Sequence, residues 1–138
     1  MRLVLDTNVV VSALLWDGPP RRLLRIGRGA GVTFFTSAPL LAKLTDILSR
    51  PKFERKITAS LLSIDHLVDL YAEMVAVVRP VSIARLASDP DDDVVIGTAI
   101  AAKADFVVTG DRTLLSVTGY EGGRIISVSG ALDAVGSG

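Results

Sequence analysis

Four short runs, RLVLD at 2–6, VTFFT at 32–36, FVVTG at 106–110 and RIISV at 124–128, are nearly unbroken in apolar character until their last residues, and helix-length segments separate them. A strand wetted on one face alternates polar and apolar residues, whereas a nearly continuous run suits a strand covered on both faces. Such runs joined by helices predict a three-layer α/β/α sandwich around a mostly parallel sheet.

The segments between the runs supply the helices. One starts near Asn8 and breaks around Asp17-Gly18-Pro19-Pro20, and a second follows through RRLLRIGR to the glycines at 29 and 31. Ser37 is placed to cap a helix that turns Leu40, Leu41, Leu44, Ile47 and Leu48 inward and stops at Pro51. A long amphipathic helix is expected from a cap at Thr58 to about Val78, because Leu61, Ile64, Leu67, Val68, Tyr71 and Val75 recur at helical spacing. After the acidic run Asp89-Pro90-Asp91-Asp92-Asp93 comes VVIGTAIAAKA, a helix whose small residues allow close approach to a sheet. The run at 124–128 is expected to be the last strand and an edge strand. Residues 1–135 read as one domain and 136–138 as a disordered tail.

With 138 residues, 49% of them hydrophobic, the chain has enough apolar surface for one core. Its opening carries Asp6 inside the first apolar stretch and no small-residue cleavage site, so it reads as neither a signal peptide nor a membrane span, and the cytoplasm is the expected compartment. Zero cysteines exclude a disulfide scaffold, a zinc-thiolate site and a cysteine nucleophile. The net charge of zero conceals a division: residues 1–58 hold ten Lys or Arg against four acids, and the remainder reverses the balance. A cation-holding acidic pocket rimmed by phosphate-binding arginines produces that division, and so does an ordinary surface patterned by chance.

Ligands of open parallel sheets collect outside the carboxyl ends of the strands. Asp6 ends the first run, Asp111 follows the third, and Asp92 falls in the first turn of a helix feeding the same sheet, where the helix dipole favours a carboxylate. Each alone reads equally well as a cap or turn residue. Together they repel one another unless a hard divalent cation sits between them, and oxygen-only ligation favours Mg²⁺ or Mn²⁺ over zinc.

LDTNVVVSALLW at 5–16, LTDILSRPKF at 44–53, DPDDD at 89–93 and AKADFVVTGDRTLL at 102–115 together resemble the PIN-domain ribonucleases, most closely the bacterial toxin components of toxin–antitoxin pairs. The resemblance implies a four-acid site for Mg²⁺ or Mn²⁺ that cuts single-stranded or structured RNA. It assigns Asp6, Asp92 and Asp111 to three of those acids, with Asn8 and Thr109 at flanking polar positions that contact substrate or orient ligands, and with Asp89 and Asp93 close enough to assist Asp92. It also implies a cognate antitoxin whose C-terminal segment fills the acidic groove, and a homodimer through the helical face.

The departure is Lys43, where the pattern expects glutamate. A carboxylate replaced by an ammonium opposes a divalent ion, since a unit charge pair at ~4 Å is worth roughly 4 kcal/mol at an effective dielectric near 20. Asp46 is a candidate stand-in, displaced by ~4.5 Å along the helix. Arg21, Arg22 and Arg50 are candidate phosphate contacts, or ordinary solvated helix residues. Three classes follow: a metal-dependent endoribonuclease weakened or inactivated by Lys43, a disabled PIN domain that binds RNA or protein, and a haloacid-dehalogenase-type phosphotransferase. The last needs a second Asp two residues after the first, where this chain has Asn8. His66 reads as a helix-surface residue, Trp16 as packing at a helix end, with stacking on a base or anchoring a partner as the alternative, and Phe34 and Phe35 as core. Gly27, Gly29 and Gly31 lack the spacing of a dinucleotide-binding turn.

Overall fold

The computed structural model describes residues 1–83 and 89–137 of the chain. The first run forms β1 (Arg2–Leu5), from which the chain passes through α1 (Thr7–Leu15) and α2 (Pro19–Gly29) to β2 (Thr33–Thr36). Next come α3 (Ala38–Leu48), α4 (Glu54–Ser60), α5 (Ile64–Met74) and the short β3 (Ala76–Val77). The second half contains α6 (Pro90–Ala101), β4 (Phe106–Val108), α7 (Arg112–Leu115), β5 (Gly119–Tyr120), β6 (Gly123–Ile126) and α8 (Val128–Ser137). Among the described residues the strands form one sheet in the order β3-β2-β1-β4-β6-β5, parallel except for the β5–β6 pair.

Alternation along the strands explains why both faces are covered. Leu3 and Leu5 of β1 join Phe34 and Val108 in a core beneath α1, α2, α3, α5 and α8. Val4 joins Phe35, Val107 and Ile125 in a second core beneath α6 and α7, with Val95, Ile96 and Ala99 of α6 packed against the sheet. The result is the expected α/β sandwich with a mostly parallel sheet.

From β1 the chain moves outward to β2 and β3, then returns to the other side of β1 to lay down β4 and β6. The reversal leaves a crevice beyond the carboxyl ends of β1 and β4, where doubly wound sheets hold their ligands.

Several expectations need correction. The helix expected from Thr58 to Val78 is broken by a left-handed residue, Leu61 (φ +61°), which is 91% exposed rather than inward. Ser63 then caps α5 by accepting from the His66 amide at 3.1 Å. Beyond Met74, Ala76 and Val77 leave the helix and pair with β2 as an edge strand. The run at 124–128 is not at the edge, because β5 folds back antiparallel against β6 through a tight turn containing Gly122 (φ +90°). Helix α8 runs to Ser137, into the stretch 136–138 expected to be a tail, and Gly138 lies outside the described residues. Burial of Ala131 and Val135 against the first core outweighs the poor helix propensity of α8.

Gly27 is where α2 comes down on β2. A Cβ there meets the ring of buried Phe34 at 2.5 Å, whereas a Cβ on Gly29 meets nothing within 4 Å. Gly27→Ala is therefore expected to destabilise by about 1–3 kcal/mol through overpacking. Gly29→Ala is expected to be neutral or to gain up to about 1 kcal/mol from helix propensity. Urea unfolding of the two variants checks the contrast, and equal midpoints would refute the close approach.

Candidate active site

Parallel pairing places Leu5 opposite Val108, and the chain leaves both strands side by side. Asp6 follows β1, donates its amide to the Val108 carbonyl at 2.9 Å and becomes the N-cap of α1. Its Oδ1 accepts from the Thr7 amide at 2.8 Å, and its Oδ2 accepts from the hydroxyl of Thr109, just past β4, at 2.8 Å. That Thr109 oxygen in turn accepts from the Asp111 amide at 3.0 Å. Asp6, Thr109 and Asp111 are thus joined in one hydrogen-bonded chain across the β1–β4 crevice.

The third acid arrives from α6. Asp89 caps this helix, its side chain accepting from the Asp91 amide at 2.9 Å, and Pro90 starts the first turn. Asp92 then points inward and is only 7% exposed, as is Asp6, while Asp111 is exposed at the mouth. The buried Asp92 Oδ2 has no hydrogen-bond partner among the described residues. Burial pushes the Asp92 carboxyl up to about 6, with the charges of Asp6, Asp111 and Asp89 adding to the rise and Lys43 opposing it. Burial also raises the Asp6 carboxyl; Asp111 adds to that, while the hydrogen bonds from Thr109 and Thr7 and the Lys43 charge pull it back. The charge of Asp111 thus acts on both buried acids, and that of Asp6 on Asp92.

Lys43 does not stand at the centre of the acids. Its ammonium forms an ion pair with Asp91 Oδ2, joining α3 to the first turn of α6 at the rim. Sequence reasoning missed Asp91 as the partner. The signal was its place in the acidic run: once Pro90 opens the helix, consecutive acids point about 100° apart, so Asp92 turns inward and Asp91 faces α3. Asp46, the possible stand-in, is exposed and meets Arg50 at 3.5 Å.

The other expected site residues divide. Asn8 is exposed and lines a hollow of about 350 Å³ together with Ser12, Pro20, Gly110 and Asp111. Arg21 has a structural task instead of an open phosphate-binding fork: Nε and an Nη donate to the Ala13 and Leu14 carbonyls at 2.9 and 3.0 Å, closing the end of α1. Arg22 is exposed on α2, Arg50 lies beyond the end of α3, and Asp93 is partly buried on α6.

The donors suit a hard divalent cation: carboxylate oxygens, one of them sealed without a partner, at a site of mutual repulsion. Among the described residues, however, no group of three acidic or histidine side chains stands close enough to share one ion. Chemistry favours a cation, and the spacing gives it an incomplete grip.

The raised carboxyls have a definite consequence for stability. An aspartate ordinarily titrates near 3.8, and Asp92 in the fold titrates at about 6. Between those values the folded chain holds more protons than the unfolded one, so this contribution to stability falls as pH rises through the window. Asp92→Asn is expected to raise Tm more at pH 7 than at pH 4. A Tm difference independent of pH would contradict the burial of this charge.

The family model for the PIN domain matches residues 2–113 of the chain. No curated protein matches it. Among solved structures, the fold is similar to that of a chain in the crystal structure of VapBC2 from Rickettsia felis bound to a DNA fragment from their promoter. The TM-score is 0.63 at 16% sequence identity, with 92% of this chain and 98% of that chain covered. The family match spans most of the sequence, and the chain belongs to the PIN domain family.

Proposed function

We propose that the chain is a metal-dependent endoribonuclease of the toxin–antitoxin type whose activity is weakened by Lys43. The observation that carries this reading is the buried, unpartnered Asp92 Oδ2, held under the influence of Asp6 and Asp111. Asp6, Asp92 and Asp111 are the ligands we propose for the ion, Mg²⁺ or Mn²⁺, which would have to draw them closer together than they stand, with Asp89 and Asp93 as nearby assistants. When bound, such an ion makes water more acidic and neutralises charge on a phosphodiester. The chain's own residues do the rest. Thr109 fixes the orientation of Asp6 Oδ2 through its hydroxyl. Asp92 would present its buried, unpartnered Oδ2 to the ion. Asn8, beside Asp111 in the hollow, can orient the strand to be cut.

The similarity to a chain of VapBC2 supports a cognate antitoxin as partner, and the resemblance to PIN-domain toxins is our ground for proposing a homodimer through the helical face. A second reading is favoured by the Lys43–Asp91 ion pair and the incomplete grip: a catalytically disabled PIN domain that holds RNA or a protein without cutting.

Calorimetric titration with Mn²⁺, paired with an RNA cleavage assay, separates the two. Lys43→Glu is expected to bind Mn²⁺ at least about tenfold more tightly than the parent, a difference of about 1.4 kcal/mol, and to cut RNA faster. Equal binding and cutting by both forms would refute the charge argument. If the glutamate form binds Mn²⁺ yet neither form cuts, the second reading replaces the first.

A further inference from the structure

The chain's only tryptophan, Trp16, is 39% exposed where α1 ends. Phe53 meets it edge to face, with ring centres 6.0 Å apart. The Lys56 ammonium lies 5.3 Å from the Trp16 ring centre, and that of Lys52 lies 5.0 Å from the centre of Phe53. Arg50, Lys52, Arg55 and Lys56 are all exposed, against one acid in the same stretch, Glu54. Asp17 adjoins the tryptophan, and Asp46 weakly engages Arg50. Lys52 and Arg55 also line a hollow of about 590 Å³ with Pro51, Glu54, Thr58 and Ala59.

Asn8, Ser12 and Trp16 follow one another at four-residue intervals, so they lie along one face of α1 and its cap. Asn8 and Ser12 line the hollow beside Asp111, and Trp16 lies about 15 Å from Asp6 along the helix. A polar track therefore leads from the acidic crevice to an exposed indole with the Lys56 ammonium over its ring. Two aromatic rings beneath an excess of positive charge match the chemistry that binds single strands, in which bases stack on rings and basic groups follow the phosphates.

We propose that Trp16, Phe53, Arg50, Lys52, Arg55 and Lys56 form a platform for single-stranded RNA, continuous with the acidic crevice through the exposed face of α1. This inference rests on the RNA-directed reading above and names where the strand runs beyond the point of cleavage. A base arriving over Trp16 displaces the Lys56 ammonium from the ring, and the freed charge meets a flanking phosphate. Charge complementarity selects the occupant: a neutral or basic partner gains nothing from four cations, and a duplex offers no free base to stack.

Trp16 reports on its own surface. The full chain is titrated with a short single-stranded oligouridylate in EDTA, so that no cutting is needed, while tryptophan emission and the anisotropy of labelled RNA are followed together. Emission is expected to fall in step with the anisotropy rise. Trp16→Ala, read by anisotropy, is expected to weaken binding roughly tenfold through lost stacking. The exposed double variant Lys52→Ala/Lys56→Ala guards against misfolding of the tryptophan variant, and is expected to make the plot of log affinity against log salt shallower by about 1.4. RNA binding without a change in emission, absence of RNA binding at low salt, or parental affinity and salt dependence in the double variant would each overturn the platform. So would polyglutamate displacing RNA at equal charge concentration, which marks the surface as one for acidic proteins. Quenching and variant effects as expected, with no cleavage by the parent or Lys43→Glu in Mn²⁺, would uphold the platform and remove the hydrolase reading.

Discussion

Parallel pairing of β1 with β4, with Leu5 opposite Val108, brings two chain exits within hydrogen-bonding distance, and the Thr109 hydroxyl locks them by donating to Asp6 at 2.8 Å. A one-residue slip of this register would exchange the side chains of the two cores, putting Leu3 and Leu5 where Val4 packs and Val4 where they do. The two cores thus fix the register, and the register fixes the acids. Asp92 depends on the same frame from the other side, since α6 packs against β1, β2 and β4 with Val95, Ile96 and Ala99 buried below its first turn.

Lys43 alters the charge of this arrangement without entering its centre. Its ammonium binds Asp91 at the rim, yet it lies near enough to lower the carboxyls of both Asp6 and Asp92. The charge opposes a divalent ion from a distance, and the ion pair braces α3 against α6 across the crevice. Because the pair is partly exposed, its contribution to stability is small. Its larger effect is electrostatic, on the two buried acids.

The long runs of β1, β2, β4 and β6 and the helices around them were legible because their apolar patterns are set by burial on two faces. The places of Asp6, Asp92 and Asp111 in the fold were legible because each follows a strand or opens a helix, positions fixed by those same elements. Other features had no comparable signal. Leu61 falls in helical register with Ile64 and Val68, so spacing alone could not expose the left-handed break; the serines on either side carried the hint, and both bond locally to the backbone. Strands of two residues, such as β3 and β5, are too short to show a period. The tether from Arg21 to the end of α1 depends on how α1 and α2 pack, a tertiary fact invisible in a string of basic residues.

Both outermost strands, β3 and β5, are only two residues long. An unpaired strand margin is a template on which another chain can add itself, and these margins end before such addition gains more than a few backbone bonds. Self-association by sheet extension is therefore disfavoured. A second copy of this protein would have to meet the first through its helical layers, side chain against side chain.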